Sequence, residues 1–313
     1  MRFSLTLCLA VVLDAVLGDP QNFPHPVKFT GNVIALWHKL FFNGTNSFTR
    51  GLAVVIMTLM TAGLSVFLVL YASGCHLLVQ VYLLYSAIAW RDLKDETEPV
   101  LLSLLKNDLK NARLFLSRIV GRDTDNLNEP GITRAVIETI AENSTDGIIS
   151  VIFFAALGHA VNQSYGMAVS VWLFKAASTL DSMLGYESMG KFGTPSARLD
   201  DVLNFIPSRI GGIIIIFSGA LTGGNIRESF RVFMSDRKKH KSPNSAHGES
   251  AFAGVLGVRL GGGAYYGGKF EARPYLNEKA NDPEACDILR AWKLLDVSCS
   301  LSVLMAVVVF WAA

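Results

Sequence analysis

The residues with the greatest chemical capacity lie in one short segment, ITRAVIETIAENSTDG. Arg134, Glu138, Glu142 and Asp146 recur there at spacing four, which on an α-helix sets them along one slowly rotating stripe. Carboxylates one turn apart can hold a hard cation such as Mg2+ through oxygen, with phosphate oxygens filling other positions. Glu138, Glu142 and Asp146 are therefore the candidate metal ligands. The competing reading is a solvated face closed by an Arg134–Glu138 ion pair, worth only about 0.2–0.5 kcal/mol. The surroundings favour chemistry: the stripe runs directly into an apolar block, where an unpaired carboxylate is expensive and usually functional.

Four other segments carry reactive side chains. Lys175, in FKAASTLDSMLGY, can snorkel to an interface, pair with Asp181 or hold a phosphate. FGTPSARLDDVLNFIPSR places Arg198, Asp200 and Asp201 ahead of Pro207. Arg198 suits a bidentate contact to phosphate or carboxylate. The adjacent aspartates point in different directions on a helix, so one at most serves a given site, and plain charge at a helix start explains them equally. His25 stands in GDPQNFPHPVKF, a segment stiffened by three prolines. Held this way it is a candidate base or hydrogen-bond donor, against a packing role. Arg237–Lys241 is a basic run suited to anionic lipid. Ser242-Pro243-Asn244 follows it, with Asn244 a candidate ligand contact. Further on, Gly261, Gly262 and Gly263 can bring backbone N–H groups close to an anion, or form a flexible loop. GAYYGGKF imitates a phosphate-binding loop, but Phe270 stands where the Mg2+-binding hydroxyl belongs and no apolar strand leads in. No GxSxG, HExxH or dinucleotide fingerprint is present. The four cysteines lack CxxC spacing, which speaks against a disulfide framework or a zinc site.

The elements that must position these residues are apolar. Of 313 residues, 51% are hydrophobic and 17% charged, against about 25% charged in soluble domains. A disordered chain is excluded, and a net charge of +2 gives no footprint for nucleic acid. Residues 51–90 contain no Asp, Glu, Lys or Arg. With about 20 residues per crossing, this block predicts a hairpin of two spans broken near Ala72-Ser73-Gly74. Further apolar blocks cover 147–184, 206–224 and 295–313. Residues 1–18 read as a retained helix at or in the membrane, since Asp14 interrupts the run and no small-x-small cleavage pattern precedes Gly18. Between the blocks lie polar segments 19–50, 91–146, 185–205 and 225–294, holding 3, 8, 2 and 12 Lys plus Arg when 181–184 is counted with the third. The charge bias puts 91–146 and 225–294 in the cytoplasm, yet 147–184 is long enough for two crossings. One element there is therefore expected to be re-entrant or broken. Within 91–146, Leu101, Leu102, Leu105, Leu109, Ala112 and Leu116 recur near a helical period. The expected architecture is all-α: a single polytopic helical membrane domain over 1–313, with amphipathic helices and irregular loops at the membrane face.

Seven stretches, in order, resemble the CobD/CbiB family: LDAVLGDPQNFPHPV, LSRIVGRDT, RAVIETIAENSTDG, FKAASTLDSMLGY, FGTPSARLDDVLNFIPSR, KSPNSAHGESAFAGVLGVRLGG and RPYLNE. They cover most of the chain outside 35–85. The sequence departs from the family's usual residues at Ser245, Ala246, His247, Gly248 and Phe252, none of them an acidic or arginine position. The resemblance implies a multi-pass protein of the cell (inner) membrane. It implies an ATP- and Mg2+-dependent ligase joining a propionate carboxyl of adenosylcobyric acid to the amine of aminopropanol phosphate, giving adenosylcobinamide phosphate. Its partners would be those two substrates, the bilayer and other membrane-bound enzymes of cobalamin biosynthesis. In such a scheme ATP converts the carboxylate to an acyl phosphate that the amine then displaces. Glu138, Glu142 and Asp146 are assigned to the metal, Arg122, Lys175 and Arg198 to phosphate, and His25 or Asp201 to the base. Asn244, Gly261 and Gly262 complete the nucleotide contacts. The alternatives are a corrinoid transporter and a non-catalytic sensor like the related AmpE membrane proteins.

Overall fold

The computed structural model describes residues 2–20, 25–42, 44 and 46–312. The Gln21–Pro24 part of the proline-rich segment and Met1 lie outside the described residues. About 74% of the chain is helical. The helices are α1 (Arg2–Leu17), α2 (Pro26–Phe41), α3 (Phe48–Ala72), α4 (Leu77–Tyr85), α5 (Trp90–Leu105), α6 (Leu109–Leu116), α7 (Glu129–Ser144), α8 (Ser150–Val161), α9 (Gly166–Leu184), α10 (Gly190–Leu203), α11 (Phe205–Leu221), α12 (Ile226–Asp236), α13 (Ser245–Leu256) and α14 (Cys286–Ala312). Four short strands, β1 (Leu260–Gly261), β2 (Ala264–Tyr266), β3 (Lys269–Glu271) and β4 (Tyr275–Leu276), lie between α13 and α14. The all-α expectation is met, with irregular structure concentrated where the glycines are.

Three helical stretches are long and apolar enough to cross a membrane: Phe48–Ala72, Glu129–Val161 and Cys286–Phe310. A fourth is available if α10 and α11 form one broken span. On α3 the two faces differ sharply. Val54, Val55, Thr58, Ala62, Val66 and Leu70 are buried, while Leu52, Ile56, Met60, Leu64 and Leu68 are exposed at spacing four. That is the pattern of a helix with one face on protein and one on lipid.

The expected second arm of the 51–90 hairpin is not a span. The break falls as anticipated, with Gly74 and Cys75 in the left-handed region, but α4 has only 9 residues. At 1.5 Å per residue it is about 14 Å long, half of the hydrocarbon thickness. Block 147–184 folds as α8 and α9, which pack side by side. A Cβ on Gly158 would lie 2.1 Å from the Gly166 carbonyl oxygen, and one on Gly166 would lie 1.9 Å from that of Gly158. Only glycine at both positions permits this approach. The polar segments are themselves largely helical. Asn128 caps α7 by accepting the Gly131 N–H at 3.0 Å, with Pro130 in the first turn. In α5 the buried stripe uses Leu101 and Leu104, whereas Leu102 and Leu105 are exposed.

Two compact units are distinguished: residues 1–89, 150–205 and 303–313, and residues 90–149 and 206–302. The first has a core of Ile34, Val54, Val55, Leu180, Leu184 and Phe192. In the second, α5 and α6 pack on α7, and α12 packs on α13. Asp296, the lone charge of the last apolar block, is not isolated there. It accepts Trp90 Nε1–H at 2.8 Å and pairs with Lys94 at 3.0 Å.

Candidate active site

The polar centre of the second unit is built from residues distant in sequence. Arg122, in the loop after α6, sets its Nη2 2.7 Å from Glu138 Oε2. Glu138 Oε1 accepts the Gly261 N–H at 2.7 Å. Both carboxylate oxygens are thus engaged, and Glu138 is only 6% exposed. One turn earlier on α7, Arg134 pairs with Asp282, which also receives Arg259 through Nε at 3.2 Å and Nη2 at 2.9 Å. Both guanidinium groups lie over the Tyr275 ring, at 5.6 and 4.8 Å. The Arg134–Glu138 pair suggested by spacing does not form, because each residue takes a partner from elsewhere in the unit.

The glycines at 261–263 have φ of +78°, +92° and +86°. At Gly262 a Cβ would lie 2.1 Å from the Tyr275 ring, so no other residue fits. The expected anion contact exists at Gly261, but the anion is the protein's own Glu138. The Gly262 N–H points to the Pro274 carbonyl at 3.4 Å. The GAYYGGKF segment is a β-hairpin of β2 and β3. Gly267 and Gly268 at its turn both have positive φ, as a tight two-residue hairpin turn demands. Asp123 fastens this hairpin: its N–H donates to the Tyr265 carbonyl at 2.7 Å, and its carboxylate accepts Gly267 N–H at 3.0 Å and Gly268 N–H at 2.7 Å. The residue beside Arg122 is therefore fixed to the loop that also supplies Gly261.

Arg122, Glu138, His240, Glu249 and Arg273 line a small cavity together with Gly261, Gly263 and Ala264. Burial alone would lower the Arg122 guanidinium, but the adjacent Glu138 carboxylate outweighs that and holds it above its ordinary value. Burial, then the Glu138 and Glu142 carboxylates, push the Glu249 carboxyl well above the usual range, against Arg122 and Arg273. Burial, then Arg273, lowers the His240 imidazole. Both groups thus favour their neutral forms. Arg122 is matched by Glu138, while Arg273 makes no ion pair among the described residues.

Among the described residues no three His, Cys, Asp or Glu side chains converge on a point as a protein-built metal site requires. The three-carboxylate expectation narrows accordingly, since Glu138 is already taken by Arg122 and Gly261. The stripe also changes register: residues Thr145–Ile149 form a π-helical turn, so the step from Glu142 to Asp146 is not an α-helical one. Such turns are frequent at functional sites.

Asn244 is buried at the start of α13, and its Oδ1 accepts Ser208 Oγ–H at 3.2 Å and Arg209 Nη1–H at 3.3 Å. In the first unit, His25 caps α2, accepting the Val27 N–H on Nδ1 at 3.3 Å, and its Nε2 lies 3.2 Å from Asp19 Oδ2. Lys175 is half-buried on α9. Arg198 is 77% exposed on α10, 3.9 Å from Asp201. Asp200 takes a different partner, accepting Asn204 Nδ2–H at 3.1–3.2 Å.

Sequence reasoning missed His240, Glu249 and Arg273. His240 was hidden in the basic run, yet Lys239 of that run turns inward, to the Tyr275 carbonyl at 2.9 Å and Asp236 at 2.8 Å. Glu249 had a usable signal. It is the one acid in SAHGESAFAGVL, a helix of small and apolar residues buried from Ala246 to Leu256.

His247, on the same helix, is buried with both ring nitrogens lacking a hydrogen-bond partner among the described residues. Burial, then Arg209, lowers its pKa to about 4. The unfolded chain takes up this proton near pH 6.5 and the folded one only near 4, so stability is lost as pH falls through that window. His247→Leu is expected to flatten the fall of Tm in detergent between pH 6.5 and 4.5. An unchanged slope would show that His247 does not contribute to it.

The match to known proteins covers this whole architecture. Residues 7–295 fit the family model described as CobD/Cbib protein. The chain is 37% identical to cobalamin biosynthesis protein CobD of Clostridium perfringens, over 97% of each chain. It is 40% identical to the CobD protein of Pelobacter propionicus, over 87% of this chain and 84% of the relative. It is 36% identical to cobalamin biosynthesis protein CbiB of Salmonella typhimurium, over 97% of this chain and 96% of the relative. No solved structure matches. With this coverage and identity along its length, the chain belongs to the CobD/CbiB family.

Proposed function

We propose that this protein acts in cobalamin biosynthesis at the cell (inner) membrane, ligating adenosylcobyric acid to aminopropanol phosphate with ATP and Mg2+ to give adenosylcobinamide phosphate. The family supports the pathway. The observation that favours a ligase over a transporter is the second-unit cavity, where two arginines, two glutamates and a histidine are gathered.

The chemistry explains why such a cluster is useful. A carboxylate does not acylate an amine in water, because its oxygen is a poor leaving group. Phosphorylation by ATP makes that oxygen a leaving phosphate. The site must then bind phosphoryl oxygens, hold the developing negative charge and remove a proton from the amine. Arg273, with Arg122 behind it, supplies positive charge for a phosphoryl group. Glu249 in its neutral form donates a hydrogen bond to an oxyanion as a buried acid can. Glu142 and Asp146 would hold Mg2+, which supplies charge neutralisation at the phosphate oxygens. Arg198, exposed on α10, and Lys175, on α9 of the same unit, are proposed phosphate contacts.

The test is an assay of the full chain in detergent with adenosylcobyric acid, aminopropanol phosphate and Mg-ATP, read by mass spectrometry. The expected product is the phosphorylated amide, formed with stoichiometric release of ADP and phosphate. Absence of ATP-dependent product, together with corrinoid uptake into proteoliposomes, would replace the ligase by a transporter.

A further inference from the structure

We propose that His240 is the general base of the amide-forming step, taking the ammonium proton of the amine on Nε2 while Ser245 holds Nδ1; this rests on the ligase reading above. The inference starts from geometry. His240 Nδ1 lies 3.1 Å from Ser245 Oγ and 3.6 Å from Glu249 Oε1. The other ring nitrogen, Nε2, is buried and has no partner among the described residues. His240 lines the same cavity as Arg122 and Arg273. A buried ring nitrogen without a partner is costly unless something binds to meet it.

The arrangement follows the logic of an oriented histidine base: one nitrogen fixed by a hydroxyl, the other left to work. The charged and titratable groups around the ring are Arg273, Glu138, Glu249 and Arg122. Burial and Arg273 keep the imidazole neutral at physiological pH, the state a base must start in. His25, the base expected from sequence, belongs to the first unit and does not line this cavity.

The step balances as follows. The substrate ammonium gives one proton to His240 Nε2, and the freed nitrogen lone pair forms the C–N bond at the acyl-phosphate carbon. The C–O bond to phosphorus breaks on the carbon side, and its electron pair leaves with the phosphate. The second nitrogen proton goes to the departing phosphate, and His240 returns its own proton to water.

Hydroxylamine separates the roles, because its nitrogen is already unprotonated at neutral pH and attacks an acyl phosphate without a base. Wild type and His240→Asn are to be compared in detergent with adenosylcobyric acid and Mg-ATP, using aminopropanol phosphate or hydroxylamine as nucleophile. General-base catalysis contributes about 100- to 10,000-fold. His240→Asn should therefore lower amide formation by about 100-fold or more, while ATP-dependent hydroxamate formation stays within about threefold. Equal loss with both nucleophiles would assign His240 a structural role and overturn the proposal, as would undiminished amide formation. Failure of wild type to form ATP-dependent hydroxamate would instead remove the acyl-phosphate reading itself, and this inference with it.

Discussion

Arg122→Met is expected to destabilise the protein by about 3–5 kcal/mol, the cost of leaving a buried carboxylate without its cation. Glu138 is 6% exposed, and its remaining partner is a single backbone N–H. A lone N–H cannot replace a guanidinium at 2.7 Å. The double change Arg122→Met with Glu138→Leu removes both charges and should recover most of that stability, since apolar pairs of similar volume often replace buried ion pairs without loss. Ligase activity should stay absent in both variants. Thermal unfolding in detergent, paired with the ligation assay, reads the two effects apart. Equal stability of wild type and Arg122→Met would mean that Glu138 is not held in a water-poor site. A double variant that regained activity would remove the pair from the chemistry.

The second large effect concerns the carboxylates that follow. Glu142→Gln with Asp146→Asn keeps shape and removes two charges. If they hold Mg2+, turnover at limiting Mg2+ should fall by at least about 100-fold, consistent with losing several kcal/mol of charge stabilisation. Part of the activity should return at high Mg2+, where the nucleotide carries the ion itself. The thermal midpoint without Mg2+ should change little, and the rise on adding Mg2+ should shrink. Near-normal turnover at limiting Mg2+ would sink the assignment.

The apolar blocks were legible because hydropathy and length alone settle whether a segment can span. They misled at 77–90, where apolar character reflects protein rather than lipid. Leu83, Leu84, Tyr85, Ala87 and Ile88 are each at most 6% exposed, and composition cannot distinguish the two environments. The acidic stripe was visible as a period, but its partners were not. Spacing tells which residues share a face; it does not tell that Glu138 meets Gly261 or that Arg134 meets Asp282. The π-turn at Thr145–Ile149 has no signature in a count made at 3.6 residues per turn. His240 was lost because a basic run reads as one surface patch, whereas its members divide between inward and outward positions.

The distance along the chain between partners has a consequence for how the protein is made. Glu138 finds Arg122 sixteen residues upstream, so its cation has been synthesised before it. Gly261 lies 123 residues downstream of Glu138, and Asp282 lies 148 downstream of Arg134. At about 5–20 residues per second those partners emerge about 6–30 s later. The Arg122–Glu138 pair can therefore close as soon as both residues are made, whereas the Arg134–Asp282 pair must wait for the chain near its end.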